Sequence, residues 1–230
     1  MYRPRMEGLV HVALFAQPLV TTSSIRQGAE MLVRQPDPRN EWHCPGWVHK
    51  QTPRIGDQLV EASMKAAAAC PGTVWINVGP AQLCQPWWPS WLAAVANRTN
   101  TDPTRVVIEI VEAPTVRIER FVTARQALRA AGFAVAVDDY ASGASTLERV
   151  ALLRPDWVKL EMSPDIGAHA AAVRGVSPET RLVVERIESA SDAATAVRDA
   201  RPVLLQGHLF GKAEPIPGQP LYGICIDTAA

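Results

Sequence analysis

The sequence predicts an α/β fold, a (β/α)8 barrel of the TIM type. Three observations carry that reading. Eight short apolar runs recur along the chain, segments with helical spacing separate most of them, and 230 residues suffice for one small barrel. A doubly wound open sheet also has continuous apolar strands, but no Gly-rich dinucleotide fingerprint follows the early runs.

The first run, Leu9–Phe15, follows basic residues, yet it holds His11 and is too short for a bilayer, so it reads as a strand and not as an anchor or signal peptide. Ala29–Val33 is the second strand. Arg34–Pro53 contains Pro and Trp without a period and is expected to be a long loop over one face. Ile55–Ala69 has apolar residues at helical spacing, and Val74–Val78 returns as a strand. Trp88–Ala96 is a shorter helix before the strand Val106–Val111. Thr115–Ala130, with Val116, Phe121, Ala124 and Leu128, is an amphipathic helix leading into the strand Phe133–Asp138. Ser145–Leu153 and Ser189–Asp199 are helices expected to open on serine caps. Trp157–Leu160, Leu182–Glu185 and Val203–Gln206 complete the strands. The tail from about 215 is expected to be irregular. No repeat or linker divides the chain, so residues 1–230 are expected to form a single domain.

Composition narrows the function classes. Apolar residues at 47% and charged residues at 20% belong to a folded globular chain. Lys plus Arg and Asp plus Glu each number 23, which gives no electrostatic basis for a nucleic-acid polymer or an anionic membrane as partner. Cys44, Cys70, Cys84 and Cys225 lack CxxC spacing and read as free thiols of a reducing cytoplasm, so a cytoplasmic location is expected. His43, Cys44 and His49 match no common zinc spacing. Trp87, Trp88 and Trp91, in QPWWPSWL, are expected in core packing or a dimer contact.

Polar groups recur at the strand ends: Glu30, Asn77, Glu109, Asp138 with Asp139, Lys159, Glu185 and Gln206. A charge moved into an apolar interior costs several kcal/mol unless it is paired or bound to a metal. In a barrel these ends meet at one mouth, where active sites are built. The donor set is rich in oxygen and free of Cys and His, which favours hard cations such as Mg²⁺ or Mn²⁺. Adjacent carboxylates in VAVDDYASGAST repel each other, and two ions would relieve that repulsion, with Asp138 and Asp139 between them. Lys159 would hold or polarise a metal-bound water, and Glu185 is the candidate base. Two divalent ions are a device for in-line phosphoryl displacement, so phosphodiester hydrolysis is the reaction class. An enolase-like proton abstraction with metal and lysine is the competing chemistry.

These residues resemble the EAL domain family of cyclic di-GMP phosphodiesterases, in order over nearly the whole chain. AQPLV is similar to the family's QPIV entry strand, and GAEMLVR to EALxR with Met31 at the middle alanine. INVGPAQL resembles INVSPxQL, VIEIVE resembles LEITE, and DDYASGASTL stands where DDFGTGxSSL is expected. VKLEMS, VVERIES and LLQGHLFGKAEP resemble the KID, AEGVET and QGYxFgkP segments.

The resemblance implies a modified TIM barrel with its first strand antiparallel, and metal ligation by Glu30, Asn77, Glu109, Asp138 and Asp139 with Lys159 assisting. It implies Glu185 as general base, Gln206 lining the site, and Gln17 and Arg34 contacting guanine and phosphate. Glu112 is the implied anchor of the loop after the aspartate pair. The implied reaction opens cyclic di-GMP to pGpG with two Mg²⁺ or Mn²⁺ ions. A homodimer is expected, with signals arriving through dimerisation, a regulatory protein partner or expression level, since the length leaves no room for a sensor.

This sequence departs from the pattern at Ala141, which stands for a glycine, and at Glu161, which stands for an aspartate. Arg186 stands for the glycine after the base and is expected to pair with Glu188 or a substrate phosphate, or to obstruct the mouth. His208 stands for a tyrosine and is expected to pack or to support the ligands from behind, and not to be a ligand itself. The alternative function is a catalytically weak or inactive EAL-like domain that regulates by binding cyclic di-GMP or protein.

Overall fold

Strand β1 (Leu9–Thr21) turns through residues 22–25 and returns antiparallel as β2 (Arg26–Pro36). The structure is a computed structural model and describes residues 9–39, 41–45, 53–110, 118–140, 146–218 and 224–227. A two-residue β3 (Trp42–His43) folds back onto the end of β2, so the expected long loop contains a short strand pair. Parallel to β2 run β4 (Thr73–Val78), β5 (Val106–Ile110), β6 (Ala134–Tyr140), β7 (Trp157–Glu161), β8 (Arg181–Glu185) and β9 (Leu204–Leu205). Strand β9 then closes antiparallel on Val20 and Thr21 of β1. The ring β1–β2–β4–β5–β6–β7–β8–β9 is therefore an eight-stranded α/β barrel whose first strand alone runs against the rest.

Strands β10 (Glu214–Pro215) and β11 (Ile224–Asp227) pair antiparallel with β1 outside that ring. The tail is thus not irregular throughout: Ile224–Asp227 lies along Leu9–Val12, while β1 outruns its apolar run at the other end, where Ala16–Thr21 pair with β2 and β9. Four residues of ICID carry too little alternation to be read as a strand without their partner.

Helices α1 (Pro53–Ala66), α2 (Pro80–Leu83), α3 (Trp88–Thr99), α4 (Ile118–Ala130), α5 (Leu147–Leu153), α6 (Ile166–Val176) and α7 (Ala190–Thr195) clothe the barrel. Their buried stripes, such as Phe121, Ala124 and Leu128 of α4, pack on the outward side chains of the strands in one continuous core. Two helix starts separate in the structure. Ser189 caps α7 in a capping box with Asp192, whereas α5 is capped by Thr146, whose Oγ1 accepts from Arg149 N, and not by Ser145. Helix α6 has no counterpart in the sequence reading. Its buried residues are Ile166, Ala170 and Val173, and its alanines and glycines give no stripe of large side chains. Gly167 lets it approach the wide turn Ala196–Ala200, and the Arg174 guanidinium donates to the carbonyls of Ala200 and Arg201.

Among the tryptophans, Trp88 is fully buried and donates to Asp57 Oδ1 at 3.0 Å, Trp91 packs partly against the core, and Trp87 is half exposed. Among the described residues no helix is long and apolar enough to cross a membrane.

Candidate active site

Inside the barrel, Leu19, Trp75, Val107, Ala136, Trp157, Val183 and Leu204 form one apolar layer. Side chains on a strand return to the same face every second residue. Two positions further along the parallel strands stand Asn77, Glu109, Asp138, Lys159, Glu185 and Gln206, and on antiparallel β1 Gln17 stands two positions before Leu19. Glu30 likewise follows Gly28 by two; a Cβ at Gly28 would collide with Thr73 of the neighbouring strand. The polar layer is therefore the next storey of the barrel, resting on the Trp75 and Trp157 rings, whose centroids are 5.1 Å apart.

Lys159 occupies the centre of that storey. Its Nζ lies 2.7 Å from Glu185, 2.9 Å from Glu109, 3.2 Å from Asp138 and 3.3 Å from Glu30. Glu30 also accepts hydrogen bonds from Asn77 Nδ2 at 2.7 Å and from Gln206 Nε2 at 2.8 Å. Lys159, Glu109, Glu30 and Gln206 are all buried, while Asp138 and Glu185 face a cavity of about 400 Å³ that opens to solvent. Gln17, Arg186, Glu188 and His208 line the same cavity.

The charges do not cancel. Burial drives the Glu109 carboxyl well above its usual range, and the neighbouring Glu30 charge adds to that. Burial also lifts Glu185 to about 8, with the Asp138 and Glu30 charges assisting against Lys159. Burial alone would lift Glu30 too, but the Lys159 ammonium and the bonds from Gln206 and Asn77 hold it below the usual value. Burial pulls Lys159 down, and the surrounding carboxylates, Glu109 and Glu185 foremost, outweigh it and raise it well above an ordinary lysine.

The residues fit hard divalent cations. Among the described residues, the buried acceptors Glu109 Oε1, Asp138 Oδ1 and Gln206 Oε1 find no hydrogen-bond partner. Asp138 Oδ1 lies within ion-pair distance of Lys159 but outside hydrogen-bond geometry. Oxygen donors alone, several of them anionic and unsatisfied, are the set that Mg²⁺ or Mn²⁺ prefers. Among the described residues no group of three acids is arranged as a metal site; four of the carboxylates turn onto the Lys159 ammonium instead.

The aspartate pair sits in a bulge. Val137 pairs with Val158 of β7, but Tyr140 pairs with Leu160, so β6 spends one residue more than its partner across Asp138–Asp139. Regular alternation would carry Tyr140 to the barrel interior. It packs instead in the outer core, its ring edge-on to His169 at 6.1 Å. The side chain of Asp139, the anchor Glu112 and loop residues 141–145 lie outside the described residues.

Other expected site residues are placed less centrally. Arg34 donates from Nη1 to the Val33 carbonyl at 2.9 Å and does not line the cavity. His208 is exposed at the cavity rim and not packed; its position two after Gln206 is the signal that would have placed it there. Arg186 does not pair with Glu188: its Nη1 meets Glu161 Oε1 at 2.7 Å. In β7–β8 pairing Glu161 stands opposite Glu185, so the two departures from the family pattern are neighbours across the barrel rim. Arg186 also has a φ of +55°, which accounts for glycine being the residue expected there. Beyond it, the Ile187 backbone bonds to Gln206 and Leu209, an approach so close that a Cβ at Gly207 would collide with the Ile187 carbonyl.

Comparison with known proteins agrees with this architecture. The family model described as the EAL domain matches residues 9–213. An uncharacterized signaling protein of Caulobacter vibrioides is 27% identical over 189 residues, 76% of this chain and 23% of that protein. The probable cyclic di-GMP phosphodiesterase PdeI of Escherichia coli is 29% identical over 149 residues, 61% of this chain and 19% of that protein. The chain thus spans about a fifth of the length of these curated relatives. Among solved structures, the PaMucR phosphodiesterase in its cyclic di-GMP complex is 20% identical, covers 91% of this chain and 93% of its own, and has a TM-score of 0.76. A standalone EAL protein from Vibrio cholerae, bound to cyclic di-GMP, is 20% identical over 89% of this chain and 93% of its own, with a TM-score of 0.74. The Bacillus subtilis YkuI protein, in complex with cyclic di-GMP and calcium, is 18% identical over 91% of this chain and 55% of its own, also at 0.74. The structures share the fold, and the match of the family model over residues 9–213 carries membership: the chain belongs to the EAL domain family.

Proposed function

We propose that this chain, acting as a single barrel domain, hydrolyses cyclic di-GMP to linear pGpG with the help of divalent cations. The observation that carries the reading is the convergence of Glu30, Glu109, Asp138 and Glu185, from four different strands, on the single ammonium of Lys159. Such an excess of buried negative charge is costly for a structural role and suits cation binding. Glu30, Asn77, Glu109, Asp138 and Asp139 would hold Mg²⁺ or Mn²⁺, which would neutralise the phosphodiester and acidify the attacking water.

The chain's own groups then have distinct tasks. Glu185, beside the cavity and lifted toward neutral pH by burial, accepts the proton of the water that attacks phosphorus. The new P–O bond forms as the bond to the ribose 3′ oxygen breaks, and that oxygen leaves with a proton as a hydroxyl. Lys159 keeps the carboxylates gathered, and Gln206 orients Glu30 through its 2.8 Å bond. Gln17, which lines the cavity, would meet a base. The test is incubation with cyclic di-GMP and Mn²⁺ or Mg²⁺, followed by chromatography for pGpG.

A second reading, a domain that binds cyclic di-GMP without turning it over, is favoured by one observation: Arg186 and its ion pair to Glu161 at the cavity rim. Nucleotide binding without pGpG at micromolar protein selects that reading.

A further inference from the structure

We propose that Arg186 is a substrate-binding residue particular to this chain, contacting the phosphodiester of cyclic di-GMP that is not cleaved. The inference rests on the preceding reading of the site and deepens it. The cavity is lined by Glu30, Asp138, Glu185 and Glu188, and among the described residues its cationic lining groups are Lys159 and Arg186. Lys159 is buried to 1% exposure and committed to four carboxylates, so it is not available to an incoming anion. Arg186 has 67% of its side chain exposed.

The substrate is a ring with two phosphodiester charges on opposite sides. Placing one among the deep carboxylates and their cations leaves the other near the rim, where Arg186 stands with Glu188 and His208. A guanidinium there supplies the missing counter-charge in a form matched to a phosphate, two parallel N–H donors.

Two features of the backbone and the pairing bear on this. Arg186 adopts φ +55°, a left-handed conformation that L-residues with a side chain adopt at a cost, and strain of this kind gathers at functional sites. The turn takes the side chain out of strand alternation and sets it on the cavity wall. The single ion pair from Nη1 to Glu161 is half exposed to water and hence weak, so a phosphate can displace it. Glu161 thus acts as an internal competitor that holds the guanidinium at the rim until substrate arrives.

The experiment is titration calorimetry of cyclic di-GMP with Ca²⁺, paired with steady-state hydrolysis in Mn²⁺, for the wild type and for Arg186→Ala, Arg186→Lys and Glu161→Gln. Loss of a charge-assisted contact predicts a rise of about tenfold or more in Kd and KM for Arg186→Ala, with kcat changed far less. Arg186→Lys restores part of the affinity, and Glu161→Gln tightens binding by removing the competitor. Unchanged or tighter binding by Arg186→Ala overturns the proposal, the second outcome assigning Arg186 as an obstruction. A wild type that binds with this Arg186 dependence but forms no pGpG overturns the hydrolytic reading alone. Absence of binding by every variant overturns both.

Discussion

Lys159 Nζ and Glu185 Oε1, 2.7 Å apart on adjacent strands, form the shortest of four ion pairs that share one ammonium. A pair of this kind would ordinarily hold its carboxyl below the usual range. Here burial and two further carboxylates win, and Glu185 rises from 4.5 to about 8. One cation cannot keep four crowded carboxylates ionised, and the consequences of that shortfall are measurable.

The first is the pH dependence of stability without metal. Between pH 4.5 and 8 the folded protein retains a proton on Glu185 that the unfolded chain has released. The stability linked to this group is therefore complete below about 4.5 and is lost as pH rises toward 8. Glu109 is shifted in the same direction, whereas Glu30 is shifted down and acts only at acid pH. Thermal unfolding in chelator should show Tm falling from pH 5 to pH 8, and Mn²⁺ should flatten the slope. A Tm that rises over that range in chelator contradicts the charge assignment.

Removing the ammonium should be severe. Lys159→Met leaves four carboxylates facing one another, and breaking a buried ionic cluster costs about 3–5 kcal/mol. Chemical denaturation at neutral pH should show a loss of that order without metal, and Mn²⁺ should stabilise the variant by more than it does the wild type. A loss below about 1 kcal/mol, equal with and without Mn²⁺, would remove Lys159 from the role of counter-charge.

The sequence carried most of this site because burying charge is costly and strand alternation is strict. Glu109 and Lys159 in apolar strands had to meet partners, and parity put them on the face that Val107 and Trp157 share. What stayed hidden depends on a second segment. The bulge at Asp138–Asp139 exists only in pairing with β7. Arg186 and Glu161 lie 25 residues apart, and only the β7–β8 register brings them together. Helix α6 buries alanines, whose small side chains leave a faint period.

The catalytic assignment of Glu185 has a signature that a structural role lacks. Glu185→Gln removes the proposed base and one of the crowded charges together. Turnover of cyclic di-GMP should fall about 10²–10⁴-fold, the usual range for a general base. Stability at pH 8 in chelator should rise, because the neutral amide no longer opposes Asp138 and Glu30. Hydrolysis assays beside thermal unfolding decide it: lost turnover with lost stability would mark Glu185 as a structural residue.

The floor of the site should matter as much as its walls. Trp75 is fully buried, sits edge-on to Trp157 at 5.1 Å and donates from Nε1 to Thr73 Oγ1 at 2.9 Å. Asn77, two positions further on the same strand, orients Glu30. Trp75→Ala opens a void directly beneath that bond, and a truncation of this size costs about 3–5 kcal/mol. Trp87→Ala, half exposed on the helical layer, is the control and should cost under about 0.5 kcal/mol. Denaturant titration of both variants tests the contrast. Because the apolar layer positions the polar one, Trp75→Ala should also weaken cation binding under conditions where it is still folded, and Trp87→Ala should not. Equal cation affinity in the two variants would mean that the strands alone, without the tryptophan floor, hold the carboxylates in place.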